Sequence, residues 1–195
     1  MPNKTAKTKP SYIRIIGGKW RSRKLPVPVT NGLRPTGDRV RETLFNWLNP
    51  YIDGARVLDA FSGSGALAFE ALSRGAQYAM LLDNSKQAID NLKQSAILLD
   101  SQSTAEIRLN SALRFLQNES ATEAFNIVFL DPPFEAQLLE DCITKLDNSN
   151  LLAPRALIYI EQNKRDPIPS PPHNWTLIKQ KQSGEVCSLL FQIDE

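Results

Sequence analysis

With 195 residues, 42% of them hydrophobic, the chain is long enough to bury one substantial core unaided by disulfide or structural metal. Cys142 and Cys187 stand far apart without CxxC spacing, which excludes a redox or zinc pair and suits reduced thiols of a cytoplasmic protein. The net charge of +2 hides an asymmetry: residues 1–50 carry eleven Lys/Arg against Asp38 and Glu42, a net +9, and the remainder therefore carries −7. A basic arm on a mildly acidic globule points to a polyanionic partner for the first part and a different task for the second.

Residues 1–11 read as a flexible basic tail; with no apolar stretch following them, no signal peptide or membrane span is expected. Residues 12–37 read as a basic hairpin and connector. Arg14, Lys19, Arg21, Arg23 and Lys24 interleave with Tyr12, Ile13, Ile15, Ile16 and Trp20 around Gly17-Gly18, which predicts a hairpin turn there and one charged face. Residues 38–195 form the main domain. Val40, Thr43, Leu44, Trp47 and Leu48 recur at helical spacing, predicting a helix over 38–48 capped by Thr36 or Asp38, with Arg39 and Arg41 pointing away from its apolar stripe.

From Arg56 onward apolar strands alternate with helices. Strands are predicted at 57–61, 78–82, 106–109, 126–130 and 156–161, with a closing pair near 175–180 and 186–193; helices are predicted at 66–74, 86–98, 112–117 and 137–146. This is an α/β pattern: a mostly parallel seven-stranded sheet covered on both faces, whose final hairpin enters antiparallel through a turn at Ser183-Gly184. Nothing resembles a coiled coil or a swapped segment, so a monomer is expected.

Two motifs carry chemistry. After the first strand, Asp59-Ala60-Phe61-Ser62-Gly63-Ser64-Gly65 opens a helix, and Asp83 follows at the end of the next strand, where an acid can bind ribose hydroxyls. A carboxylate at Asp59 repels a dinucleotide pyrophosphate but attracts the ammonium and sulfonium of S-adenosyl-L-methionine; the alternative is that Asp59 only braces the glycine turn. Asn84, Asn110 and Ser111 lie beyond the next two strand ends and are candidate adenine-side contacts. The second motif, Asp131-Pro132-Pro133-Phe134, leaves a strand with one acceptor-only side chain, two prolines and an aromatic ring. Asp131 and the Pro132 carbonyl can accept from an exocyclic base amine while Phe134 stacks on the ring, which is positioning chemistry. If the first and fourth strands end at one rim, the two motifs meet. A nicotinamide-dependent dehydrogenase and a non-catalytic RNA-binding module are the competing classes.

Arg14 to Arg21, Leu33-Arg34-Pro35-Thr36, Asp38 to Phe45, Val57 to Leu67 and Phe129 to Phe134 together resemble the bacterial 16S ribosomal RNA guanine-N2 methyltransferases of the RsmD family, within the class I Rossmann-like methyltransferases. That resemblance implies methyl transfer from S-adenosyl-L-methionine to N2 of one guanine, guanine 966, of 16S rRNA in the 30S subunit or an assembly intermediate. It further implies that Arg34 and Thr36 close over the methionine end of the cofactor, that Ser62 joins Asp59, Gly63, Gly65 and Asp83 around it, and that Arg14, Lys19, Arg21, Arg23, Lys24, Arg39 and Arg41 meet RNA. No metal is implied. Asp83 stands where a glutamate is commoner, and Asn110-Ser111 replace a more usual acidic residue. An adenine-N6 target, or a peptide glutamine, stays open from the residues themselves.

Overall fold

A computed structural model describes residues 11–27, 37–118, 123–133 and 136–194. Arg34, Thr36 and Phe134, three residues named above, lie outside the described residues.

Seven strands form the main sheet: β3 (Arg56–Asp59), β4 (Tyr78–Asp83), β5 (Ala105–Leu109), β6 (Phe125–Leu130), β7 (Leu152–Asn163), β8 (Trp175–Ser183) and β9 (Val186–Ile193), in the order β5-β4-β3-β6-β7-β9-β8. The first five run parallel, and β9 inserts antiparallel between β7 and β8. Strand order reverses between β3 and β6, where successive units wind outward in opposite directions and an open α/β sheet leaves a crevice beyond its carboxyl ends.

Helices α1 (Asp38–Leu48), α2 (Ala66–Ser73) and α3 (Lys86–Leu98) contribute to the core on one face, and α4 (Ala112–Asn118) and α5 (Ala136–Asp147) to that on the other. Both faces of the central strands are therefore covered, which is why β3, β4 and β6 read as nearly continuous apolar runs. On the α1 face, Phe129 of β6 sits between Phe45 and Tyr159, edge-to-face with centroids 6.2 Å apart in each pair. That aromatic row underlies the rim where β6 and β7 end.

The N-terminal segment forms a separate two-stranded ribbon, β1 (Ser11–Arg14) with β2 (Lys24–Val27). The expected hairpin is present, but its loop is longer than a tight Gly17-Gly18 turn and includes a 3-10 turn, Gly18–Trp20, that rests on α2. Gly18 has φ +73°, and a Cβ there would lie 1.8 Å from the Ser73 carbonyl oxygen. The glycine permits backbone to meet backbone. Trp20 N–H donates to Ser73 Oγ at 2.9 Å, and Ser73 Oγ–H donates to the Gly17 carbonyl at 2.6 Å.

Two expectations for α1 need correction. Its N-cap is Gly37, with no side-chain cap, and Asp38 is instead paired with Arg41 at 2.6 Å. Its buried positions are Val40, Arg41, Leu44, Phe45 and Leu48, so the buried stripe is rotated to include Arg41, and Thr43 and Trp47 are only half-buried. Strand β7 begins earlier than predicted: a register irregularity opposite β6, with Arg155 at φ +60°, carries the chain past Pro154 without ending the pairing.

Candidate active site

At the carboxyl rim the register decides which side chains meet. Asp59 pairs with Phe129 across β3 and β6, and Ala60 N–H donates to the Phe129 carbonyl at 3.1 Å. Asp131, two residues beyond Phe129, therefore leaves the sheet beside the start of the glycine loop, as the shared-rim expectation required. Asp131 is half-buried, Pro132 buried and Pro133 exposed. On the other flank Asp59 pairs with Leu81, so Asp83 stands at the same rim one strand over.

The loop is held from three sides. Ser62 N–H donates to the Leu82 carbonyl at 2.9 Å, Ser62 Oγ–H donates to the Asp59 carbonyl at 3.0 Å, and Gly65 N–H donates to the Ser62 carbonyl at 2.6 Å. Gly65 has φ +77° and is the N-cap of α2; a Cβ there would fall 2.5 Å from the Phe69 ring. Only glycine lets the loop lie this close to its own helix.

Asp59 is buried, and its Oδ2 accepts from Ala68 N–H at 3.3 Å. The bracing role weighed for this residue is thus present in the hydrogen bonds. Burial pushes its carboxyl up to about 7, opposed by backbone N–H donors and reinforced by the Asp83 charge. A buried carboxyl that meets no cation among the described residues is relieved by a positive ligand and made worse by a pyrophosphate. Asp83 accepts from Gly63 N–H through Oδ2 at 2.9 Å and from Ser85 N–H through Oδ1 at 2.8 Å. Each oxygen keeps a second lone pair for a ribose hydroxyl. Asn110 is tied to this corner by its N–H, which donates to the Asp83 carbonyl at 3.0 Å; Asn84 is exposed beside it. Ser111 opens α4, its Oγ accepting from Arg114 N–H at 3.3 Å. A glycine cradle, buried and half-buried carboxylates and a polar far end fit the cation, ribose and adenine of S-adenosylmethionine.

Of the basic residues expected to meet RNA, Arg14, Lys19, Arg21, Arg23, Lys24 and Arg39 are exposed. Lys19 lies over the Trp20 ring at 4.2 Å, and Arg23 Nη1–H donates to the Leu98 carbonyl at 2.8 Å. Arg41 is the correction: it is fully buried, its Nη2–H donates to Asp38 and to the Arg14 carbonyl, and it lies 3.9 Å from Glu70. A side chain enclosed by the ribbon and α2 has no face to offer RNA.

Sequence reasoning missed Glu70. It is fully buried and accepts from Ile16 N–H at 2.7 Å, Gly17 N–H at 2.8 Å and Arg74 Nε–H at 2.7 Å. Its signal was a lone carboxylate within the otherwise apolar Ala66–Leu72 run, which needs a partner when buried. It joins the basic ribbon to the helix that starts at the glycine loop.

A doubly covered α/β sheet with an acidic glycine loop and an Asp-Pro-Pro exit on adjacent strands defines a class I, Rossmann-like methyltransferase. The family model described as "Conserved hypothetical protein 95" matches residues 13–192. The chain belongs to that family, the RsmD family. It is 49% identical over 181 residues to "Ribosomal RNA small subunit methyltransferase D" of Haemophilus influenzae, covering 92% of this chain and 93% of that protein. Its identity to the Escherichia coli protein of the same name is 47% over 180 residues, covering 92% and 89%. The solved structure of the Escherichia coli protein yhhF superposes with a TM-score of 0.87 at 44% identity, covering 94% of this chain and 99% of that one.

Proposed function

We propose that this chain transfers the methyl group of S-adenosyl-L-methionine to the exocyclic N2 of one guanine, guanine 966, of 16S rRNA within the small subunit or an assembly intermediate. The observation that carries this reading is the pairing of Asp59 with Phe129, which brings the glycine loop and the Asp131-Pro132 exit to one point of the rim. Membership of the RsmD family, whose relatives are named as small-subunit rRNA methyltransferases, supports the substrate class.

Bound over Gly63 and Gly65, the cofactor supplies a methyl group on a positively charged sulfur. Asp59 would hold its positive charge, Asp83 its ribose, Asn84, Asn110 and Ser111 its adenine, and Arg34 with Thr36 its methionine part. An exocyclic amine conjugated into a purine is a poor nucleophile. Asp131 and the Pro132 carbonyl accept its two hydrogens, which turns the nitrogen lone pair out of the ring plane toward the methyl group. Pro133 contributes no N–H that would compete for those acceptors, and Phe134 stacks on the extruded base. Arg14, Lys19, Arg21, Arg23, Lys24 and Arg39 bind the RNA backbone through charge rather than base identity.

Incubation with labelled cofactor and small-subunit particles lacking the modification, followed by digestion to nucleosides, tests the reading. N2-methylguanosine is the expected product. N6-methyladenosine, or label in protein, replaces the proposed substrate with one of the alternatives.

A further inference from the structure

Beside Asp131 lies a carboxylate with no part in the chemistry above. Leu130 of β6 pairs with Ile160 of β7, so one step further Asp131 stands next to Glu161 on the neighbouring parallel strand. In-register residues on adjacent strands point to the same face, about 4.8 Å apart. Phe129 and Tyr159 of the preceding pair share the α1-side core, which fixes that face for Asp131 and Glu161 as well.

Glu161 is only 4% exposed at the end of the sheet that binds ligands. Its orientation is fixed from behind. Tyr159, fully buried, donates its hydroxyl to Glu161 Oε2 at 3.0 Å and lies 3.0 Å from Ser188 Oγ on β9. A phenol has one proton to give, so Ser188 donates to Tyr159 and Tyr159 to Glu161, a directed chain ending on the carboxylate. Burial first, then the charges of Glu161 and Asp131, hold the Tyr159 hydroxyl firmly protonated, as this direction requires. A buried carboxylate held by one tyrosine hydroxyl, itself oriented by a serine, is costly to keep for stability alone, since apolar side chains fill such space as well or better.

We propose that Glu161 is a specificity-determining residue of the base site, accepting from guanine N1–H while Asp131 and the Pro132 carbonyl accept from the 2-amino group. This inference rests on the guanine reading above and deepens it. Guanine presents N1–H next to its 2-amino group, so its edge has adjacent donors. Adenine places an acceptor, N1, next to its amine, and a second carboxylate repels it. Two carboxylates side by side on β6 and β7 make an edge made only of acceptors, and that edge selects guanine.

2,6-Diaminopurine separates the contributions, because it keeps the 2-amino group but has a bare N1. Particles are reconstituted with guanine or diaminopurine at the target position, and kcat/KM is measured for each. Wild type is expected to prefer guanine by at least ~10-fold, as for one charge-assisted hydrogen bond. E161Q is expected to lower that preference ~10-fold or reverse it, since the glutamine amide can donate to the bare N1. Y159F and S188A, which loosen Glu161 without removing it, reduce the preference less. A purely packing role for Glu161 lowers activity on both bases together and leaves their ratio unchanged, which overturns the proposal. Equal rates on the two bases with wild type also overturn it, whatever the variants do. Failure of wild type to methylate guanine at all counts instead against the guanine reading, and this inference falls with it.

Discussion

Gly18 and Ser73 touch backbone to backbone: a Cβ on Gly18 would stand 2.2 Å from the Ser73 carbonyl carbon, and Trp20 N–H is bound to the Ser73 hydroxyl. Through this contact the basic ribbon is fastened to α2, and α2 begins at the glycine loop. Gly18→Ala meets both the positive φ and the clash, and is expected to destabilise the fold by on the order of 2–4 kcal/mol. Thermal unfolding and limited proteolysis check this, with cleavage appearing first in residues 11–27. An unchanged melting temperature and cleavage pattern would show that the ribbon is held by other contacts.

Glu70 provides the second fastening. Glu70→Ala leaves Ile16 N–H, Gly17 N–H and Arg74 without their shared acceptor, and Arg41 without a neighbouring negative charge. A loss of about 3–5 kcal/mol is expected, as for any buried ion pair broken from one side. Chemical denaturation measures it, and Glu70→Gln, which keeps one acceptor oxygen, should recover part of the loss.

The two kinds of arginine in the basic arm should separate cleanly. Arg41→Ala is expected to reduce stability without altering the salt dependence of RNA binding, because the side chain is enclosed and paired with Asp38. The double variant Arg21→Ala, Lys24→Ala removes exposed charge, so it should leave stability nearly unchanged and lower the slope of log affinity against log salt by about 2. Titrations at several salt concentrations decide this; an unchanged slope in the double variant removes both residues from the interface.

Asp59 gives the chain a pH dependence of definite sign. Its carboxyl, ordinarily at 3.8, is pushed to about 7 by burial, so between those values the folded chain keeps a proton that the unfolded chain has released. Stability from this group falls as pH rises from 3.8 to about 7 and levels off above. Each tenfold difference in proton affinity corresponds to about 1.4 kcal/mol. Asp59→Asn should flatten that decline, as measured by urea unfolding between pH 5 and 8. Parallel curves for wild type and variant would mean that Asp59 is ionised throughout.

Asp131 is expected to separate binding from chemistry. Asp131→Ala removes an acceptor at the amine and leaves the glycine loop intact, so kcat should drop by on the order of 10²–10³-fold while calorimetric binding of S-adenosylhomocysteine changes little. Comparable losses in both would place Asp131 in the cofactor site.

The alternation from β3 onward was legible because short continuous apolar runs alternate with segments of helical spacing, and β3 and β6 being neighbours follows from the winding rule for such units. The α1 stripe was misread for a physical reason: Arg41 is buried by partners at Arg14 and Glu70, which are distant in the chain, and helical spacing cannot show them. The hairpin around Gly17-Gly18 is present, but its loop is longer than a tight turn, because Gly18 also answers a close approach to α2 that no local pattern shows. The places of Asp59 and Asp131 at strand ends were readable because a glycine turn and a proline pair follow them, and that of Asp83 because an apolar run stops at it. The adjacency of Glu161 to Asp131 was not, because it depends on the pairing of β6 with β7.

That pairing order has a consequence for how the protein is made. Among the described residues β8 bonds only to β9, and β9, which follows β8 in the chain, must slide between two segments already synthesised. Until residues 186–193 emerge, β7 presents an unpaired apolar border and Glu161 lacks the serine that orients its tyrosine. Nascent chains stalled short of β9 should therefore be sticky, and the sheet closes only once that strand is threaded between β7 and β8.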